Sequence, residues 1–247
     1  MQYIENILSI CKNIYDRNSA TNYEKKMLKE YPHMFVFGCV MDSQINSDKA
    51  WKIPYLISKE IGGFEFKLFA SHDEEYYVKL FNKNKYHRFN DVMAKALYNS
   101  IKIIETKYSG HAENIWNDNP SSSEIVYRFL EFDRVGVKIA TMAANILSRD
   151  YGIPVKDHYA IDISPDIHVK RAMYRLGLIE EIPNDDFSNI DSTKIIYRAK
   201  SIYPEFPGIM DLAFWQIGKD KICTNTECHA DICPFGKICK RQGICKK

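Results

Sequence analysis

The stretch FWQIGKDKICTNTECHADICPFGKICKRQGIC, Phe214 to Cys245, joins an apolar segment to a loop that holds five of the chain's seven cysteines. GIMDLAFWQIG, Gly208 to Gly218, reads as a mostly buried helix that ends at Gly218. Beyond it the spacing is Cys223-x4-Cys228-x4-Cys233-x5-Cys239-x5-Cys245. Zinc ribbons place short Cys-x2-4-Cys knuckles as two pairs across a longer loop. This run has no such pairing, and one continuous loop of thiolates fits an iron–sulfur cage better. On spacing alone, zinc and thiols without a metal role stay open. Disulfides are the poorer reading, because no apolar run after a basic start marks a secretory signal and a reducing cytoplasm is expected.

Charge is uneven around this loop. Lys219 to Lys247 carries a net +4, whereas the whole chain carries only +2. A basic segment can meet phosphates, and it can equally be a solvated terminus. Hydrophobic residues make up 45% of the chain, with 16 Tyr and 13 Phe, which excludes a disordered chain. The longest strongly apolar run, MFVFGCVM from Met34 to Met41, is far short of a membrane span. A soluble cytoplasmic protein without membrane contact is expected.

Outward from the loop, helical periodicity dominates. Ile4, Ile7, Leu8, Cys11 and Ile14 form one stripe, and YEKKMLKEY continues in that style up to Pro32. HMFVFGCVMDSQ is apolar nearly all round and reads as a buried helix. SDKAWKIPYLISKEIGG should be capped by Ser47 or Asp48 and end at Gly62-Gly63, with a start or kink near Pro54. FNDVMAKALYNSIKIIETKY places Val92, Met93, Ala96, Leu97, Ile101 and Ile104 on an apolar face. SSSEIVYRFL opens on a serine cap with Glu124 in its first turn. VGVKIATMAANIL, DIHVKRAMYRLGL and STKIIYRAKSIY complete the set. No strand alternation, repeat or low-complexity tract is found. The expected fold class is all-α, some ten helices with short links.

FWQIGKDKIC and the cysteine loop together resemble the C-terminal iron–sulfur loop of the endonuclease III family of DNA glycosylases. That family's Cys-x6-Cys-x2-Cys-x5-Cys falls on Cys223, Cys233 and Cys239 for its first, third and fourth positions. CPFGKIC is also similar to the Cys-Pro-x4-Cys of its adenine-glycosylase branch. The second position lands on Ala230, and the nearest cysteine is Cys228. The resemblance implies a four-iron four-sulfur (4Fe-4S) cluster on Cys223, Cys228, Cys233 and Cys239, with Cys245 as the rival fourth ligand.

YRFLEFDRVGVKIATMAANIL, Tyr127 to Leu147, resembles the family's helix-hairpin-helix. Its Leu-Pro-Gly-Val-Gly-x-Lys-Thr-Ala becomes Phe132-Asp133-Arg134-Val135-Gly136-Val137-Lys138-Ile139-Ala140 here. Two helices meet at a tight turn, and the free amides of the second can face a phosphate. Asp133 and Arg134 replace the family's Pro and first Gly, so Arg134 takes a backbone geometry easier for glycine. By resemblance Arg134, Val135 and Gly136 contact DNA, and Lys138 is the nucleophilic amine. Its apolar neighbours Val137 and Ile139 suggest a partly shielded lysine, which loses its proton more readily; a lysine snorkelling from a helix edge is the plainer alternative.

The superfamily's Gly/Pro-rich loop and aspartate are matched by Gly152, Pro154, Pro165 and Asp166. DIHVKR resembles the family's Asp-x-His-Val-x-Arg. Asp166 would stabilise positive charge on the sugar and help deprotonate Lys138, and it is also a good helix start. It stands farther from Lys138 than the family usually places it, with Asp162 and Asp157 as fallbacks. His168 reads as a structural hydrogen-bonder. VMDSQINSDKAW, Val40 to Trp51, resembles the family's Leu-Ser-x-Gln-x-x-Asp, which gives Gln44 a place in the DNA stack. Tyr86, His87 and Arg88 fall near a second wedge region. Lys237, Lys240 and Arg241 would add phosphate contacts.

The resemblance implies a six-helix domain over 34–152 with the hairpin. It implies a discontinuous cluster domain from 1–33 plus 153–247, with DNA across the cleft. The implied activity is a monomeric, nucleoid-associated base-excision glycosylase with AP lyase activity. Its substrate is double-stranded DNA with a damaged base, an oxidised pyrimidine first, or an abasic site. The alternatives are another lesion (oxidised guanine, a mismatched or alkylated base) and a non-catalytic DNA-binding paralogue.

Overall fold

The structure is a computed structural model that describes residues 2–180 and 186–240. Among the described residues there are thirteen α-helices and no strand; the one β-bridge pairs Cys223 with Cys228. The all-α expectation holds. Within those residues, no helix is long and apolar enough to cross a membrane. The chain divides into two compact units, Ala20–Ala144 and a discontinuous unit of Met1–Ser19 with Asn145–Lys247.

In Ala20–Ala144 the sequence reading locates most elements. α1 (Gln2–Arg17) belongs to the other unit. α2 (Asn22–Glu30) begins at Thr21, whose hydroxyl accepts from the Glu24 N–H in a complete capping box. α3 (Pro32–Met41) is buried along almost its whole length, as its unbroken apolar run requires. It ends at Met41, and Asp42 to Gln44 leave the helix. The segment after it is two helices rather than one: α4 (Ser47–Ala50) and α5 (Ile53–Ile61). Pro54 starts the second, where its missing N–H costs nothing. The cap of α4 is Asn46, not Ser47 or Asp48, because its side chain accepts from the Lys49 N–H. α6 (Phe66–Ala70) and α7 (Glu74–Asn84) went unread in the sequence. α8 (Asn90–Lys107) packs on α3 and α7 through Met93, Ala96, Leu97, Ile101 and Ile104. Val92 lies outside that face, 46% exposed. α9 (Ser122–Leu130) starts at Ser121, which accepts from the Glu124 N–H.

α10 (Val137–Arg149) follows the hairpin. In the discontinuous unit, α11 (Ile167–Arg175), α12 (Ser192–Ile202) and α13 (Asp211–Lys219) supply the remaining helices. α13 packs on α11 and α1, so the N-terminal helix closes a core built from the C-terminal half. Ile7, Cys11, Val169, Met173, Ala213 and Phe214 are fully buried there, each large side chain contributing about 1.5–3 kcal/mol. The 3-10 turn Pro207–Met210 leads into α13 and touches α1 and α12.

Candidate functional site

The cysteine loop is a succession of pinned turns. The Cys223 N–H donates to Ile217 O at 2.8 Å, tying the loop to α13. Thr224 N–H donates to Glu227 O, and Glu227 N–H to Thr224 Oγ1, both at 2.9 Å. This tight turn is what the four-residue spacer builds: it sets Cys223 and Cys228 opposite each other in the bridge. Cys233 N–H then reaches His229 O, and Gly236 N–H reaches Cys233 O. At Gly236 a Cβ would stand 1.9 Å from the Ala230 carbonyl oxygen, so only glycine fits.

Cys223, Cys228, Cys233 and Cys239 all line one pocket. Ala172, Leu176, Ile217 and Phe235 give it apolar walls, and Ala230, the family's second ligand position, lines it too. Burial first, then the nearby Cys223, Cys239 and Cys228, push the Cys233 thiol up to about 11. Coordination by metal reverses that preference, because a ligating thiol is deprotonated. Among the described residues no group of three or more His, Cys, Asp or Glu is arranged to hold a metal ion. The donor chemistry, four thiols lining one largely apolar pocket, is the kind that ligates a cluster. Arg241 and Cys245, both expected to matter here, lie outside the described residues.

The sequence reading missed Arg175. Buried to 3% exposure, it donates through Nη1 to Cys223 Sγ at 3.1 Å and through Nη2 to Thr224 O at 2.7 Å. Cys239 Sγ in turn donates to Arg175 O at 3.5 Å. The only signal was its place four residues after Arg171 on a helix whose other face is apolar. Arg171 is buried as well and donates to Asn225 Oδ1 at 2.9 Å. His168 Nδ1 bonds the Arg171 guanidinium at 2.8 Å, the structural role expected of it. Lys237 is exposed. Lys240 is exposed but its ammonium sits 4.1 Å over the Tyr3 ring, a cation–π contact that ties the loop to α1.

Asp166 is the N-cap of α11. Its Oδ1 accepts from the His168 and Val169 N–H groups at 2.8 and 2.9 Å. Of the fallbacks, Asp162 is ion-paired with Lys200 at 3.0 Å and Asp157 accepts from the Tyr159 N–H.

In the other unit the hairpin turn is Phe132 to Gly136. Arg134 has φ +69°, the left-handed geometry its replacement of glycine implied. Val135 departs from expectation: its side chain is 6% exposed and its N–H donates to Phe132 O at 3.1 Å, so neither faces outward. Asp133 is engaged by Asn99 Nδ2 at 2.6 Å. Gly136 is exposed and open, a Cβ there meeting no described atom within 4 Å. Lys138 lies in the first turn of α10 and is exposed. The shielding expected from Val137 and Ile139 is absent, since Ile139 turns inward and Val137 is itself 50% exposed. Gln44 is exposed in the bend after α3 with φ +59°, also left-handed. Tyr86 and His87 are buried, and Arg88 lies outside over the Phe89 ring at 4.7 Å.

No family model and no curated protein matches the chain in sequence. Among solved structures it is similar to a trapped endonuclease III–DNA covalent intermediate, an estranged-adenine complex. The likeness has 15% identity and a TM-score of 0.55, over 87% of this chain and 92% of that one. The chain has the all-α fold of endonuclease III.

Proposed function

We propose that the protein is a base-excision DNA glycosylase with AP lyase activity. The observation that carries this is the pairing of that fold with an exposed lysine in the first turn of the hairpin's second helix. The similar solved protein is one trapped covalently on DNA.

In this reading the Lys138 amine, once neutral, attacks C1′ of the damaged nucleotide. The C1′–N bond breaks and the base leaves with its electron pair, taking up a proton. The amine's own proton is lost, the sugar ring opens and a Schiff base joins Lys138 to C1′. Loss of a C2′ proton then expels the 3′ phosphate, which is the lyase step. Asp166 stabilises the positive charge that grows on the sugar. The open first-turn amides beside Gly136, with Arg134, position a DNA phosphate. Gln44, on its left-handed bend, fills the gap left by the extruded nucleotide, and Lys237 with Arg241 adds phosphate contacts. Cys223, Cys228, Cys233 and Cys239 would hold a 4Fe-4S cluster, which when bound would cross-link the loop. An oxidised pyrimidine is the proposed substrate base.

Borohydride reduction with an abasic-site duplex tests the reading. The wild type should form a covalent adduct that Lys138→Ala does not, with both proteins equally helical by circular dichroism. A folded wild type giving neither adduct nor strand cleavage overturns it. A panel of lesion duplexes identifies the base, and iron analysis after anaerobic preparation tests the cluster.

A further inference from the structure

Asp211, the first residue of α13, is 8% exposed and takes no part in the chemistry above. Its Oδ1 accepts the Ser164 N–H at 2.7 Å in a buried bond. The Ser164 carbonyl in turn accepts the Asp166 N–H at 2.8 Å. A short relay therefore runs from Asp211 through Ser164 to the backbone of Asp166, whose carboxylate is then fixed by two helix amides. The same stretch is held a second time: Gly208 N–H donates to Ile161 O at 2.8 Å, and a Cβ on Gly208 would come within 2.7 Å of that oxygen. The segment Ile161 to Ser164 is thus laid on the corner that leads into α13, with Ile161 and Ile163 fully buried.

A buried carboxylate is an expensive way to accept hydrogen bonds from Ser164. Burial, opposed by the Ser164 N–H bond, pushes the Asp211 carboxyl up to about 6. The charged groups acting on it are Asp166, at the start of α11, which raises it, and Arg149, at the end of α10, which lowers it. Near neutral pH the site accordingly holds a second negative charge behind Asp166. An asparagine would make the same hydrogen bond without that cost, so the charge itself calls for a role.

We propose that Asp211 is a positioning residue that fixes the Ser164–Pro165–Asp166 turn and sets a negative charge behind Asp166. It thereby favours positive charge on the sugar during base loss. This rests on the reading of Asp166 as the charge-stabilising carboxylate. Asp211→Asn keeps the acceptor and removes the charge; Asp211→Ala removes both.

Single-turnover excision from a lesion duplex, DNA affinity and thermal melting are measured for wild type, Asp166→Asn, Asp211→Asn and Asp211→Ala. Asp211→Asn should melt higher than wild type at pH 7.5. It should bind DNA within about twofold, yet excise roughly tenfold more slowly, the scale of one lost unit charge acting at about 10 Å through an effective dielectric near 20. The fall in wild-type rate below about pH 6, where Asp211 takes up its proton, should vanish in this variant. Asp211→Ala should be slower still. A residue of merely structural use would not raise stability while lowering rate. If Asp166→Asn is inactive while Asp211→Asn keeps the wild-type rate and pH profile, the inference fails alone. A wild type that neither excises nor traps removes the proposed function, and this inference with it.

Discussion

Arg175 Nη1 stands 3.1 Å from Cys223 Sγ, and both residues are buried. The same guanidinium also reaches Thr224 O, so one side chain holds both the first cysteine and the turn that brings Cys228 opposite it. Arg175→Met leaves those acceptors unpaired and should lower unfolding free energy by about 2 kcal/mol. Arg175→Lys should recover little, because an ammonium lacks the planar fork. Denaturant unfolding and iron per chain check this; unchanged values for both in Arg175→Met contradict it.

Gly236 offers a sharper test of the loop. The carbonyl of Ala230 lies where a Cβ would be, and the clash is backbone against backbone, which no side-chain rotation relieves. Gly236→Ala should destabilise by about 1–3 kcal/mol, the range for overpacking a fitted site. It should also lower iron content. The control is Gly136→Ala, where the added methyl meets open space. Its melting temperature should match wild type.

Arg134 carries its charge on a left-handed backbone, at φ +69°. An L-residue there is strained by roughly 1–2 kcal/mol, while glycine gives back about 0.5–1 kcal/mol of that in chain entropy. Arg134→Gly should therefore leave stability unchanged or raise it slightly. If Arg134 meets a phosphate, the same variant should bind duplex DNA more weakly, with a salt slope shallower by about one. Weaker binding with an unaltered slope would assign Arg134 a role in turn shape alone.

The helices were legible wherever apolar spacing was long and regular, as in α1, α3 and α8. α6 and α7 were missed because Phe66 to Asn84 mixes short apolar stretches with charges, and the aromatic residues that bury there are scattered. The strained geometry of Arg134 followed from a missing glycine, a local signal. The four cysteines that line one pocket were singled out by the resemblance, and the Thr224–Glu227 turn is what sets Cys223 and Cys228 opposite each other. Arg175 and Asp211 were not legible, because each acts on a residue some 48 and 47 positions away in sequence. The shielding expected of Lys138 failed for a related reason. Two apolar neighbours in a helix point in different directions, so adjacency in sequence says little about burial.

His33 and Asp211 should make opposing contributions to stability at mildly acid pH. His33 is 4% exposed, packed among Phe37, Phe66 and Phe69, with Nε2 2.7 Å from Phe64 O. Burial lowers its pKa from 6.5 to about 4. The unfolded chain then binds the proton more readily, so stability is full above about 6.5 and is lost as pH falls toward 4. Between pH 7 and pH 5 that loss is about 2 kcal/mol. Asp211 works the other way. Its carboxyl is raised from 3.8 to about 6, so the folded state binds its proton more readily and stability grows as pH falls through 6. Over the same interval the gain is about 1 kcal/mol. Urea unfolding at pH 7 and pH 5 should thus show a smaller loss in wild type than in Asp211→Asn. Asp211→Asn should expose the full loss from His33. His33→Gln, which keeps an N–H for Phe64 O, should lose less stability than wild type between pH 7 and pH 5. Parallel profiles in all three proteins would show that neither group titrates as its burial dictates.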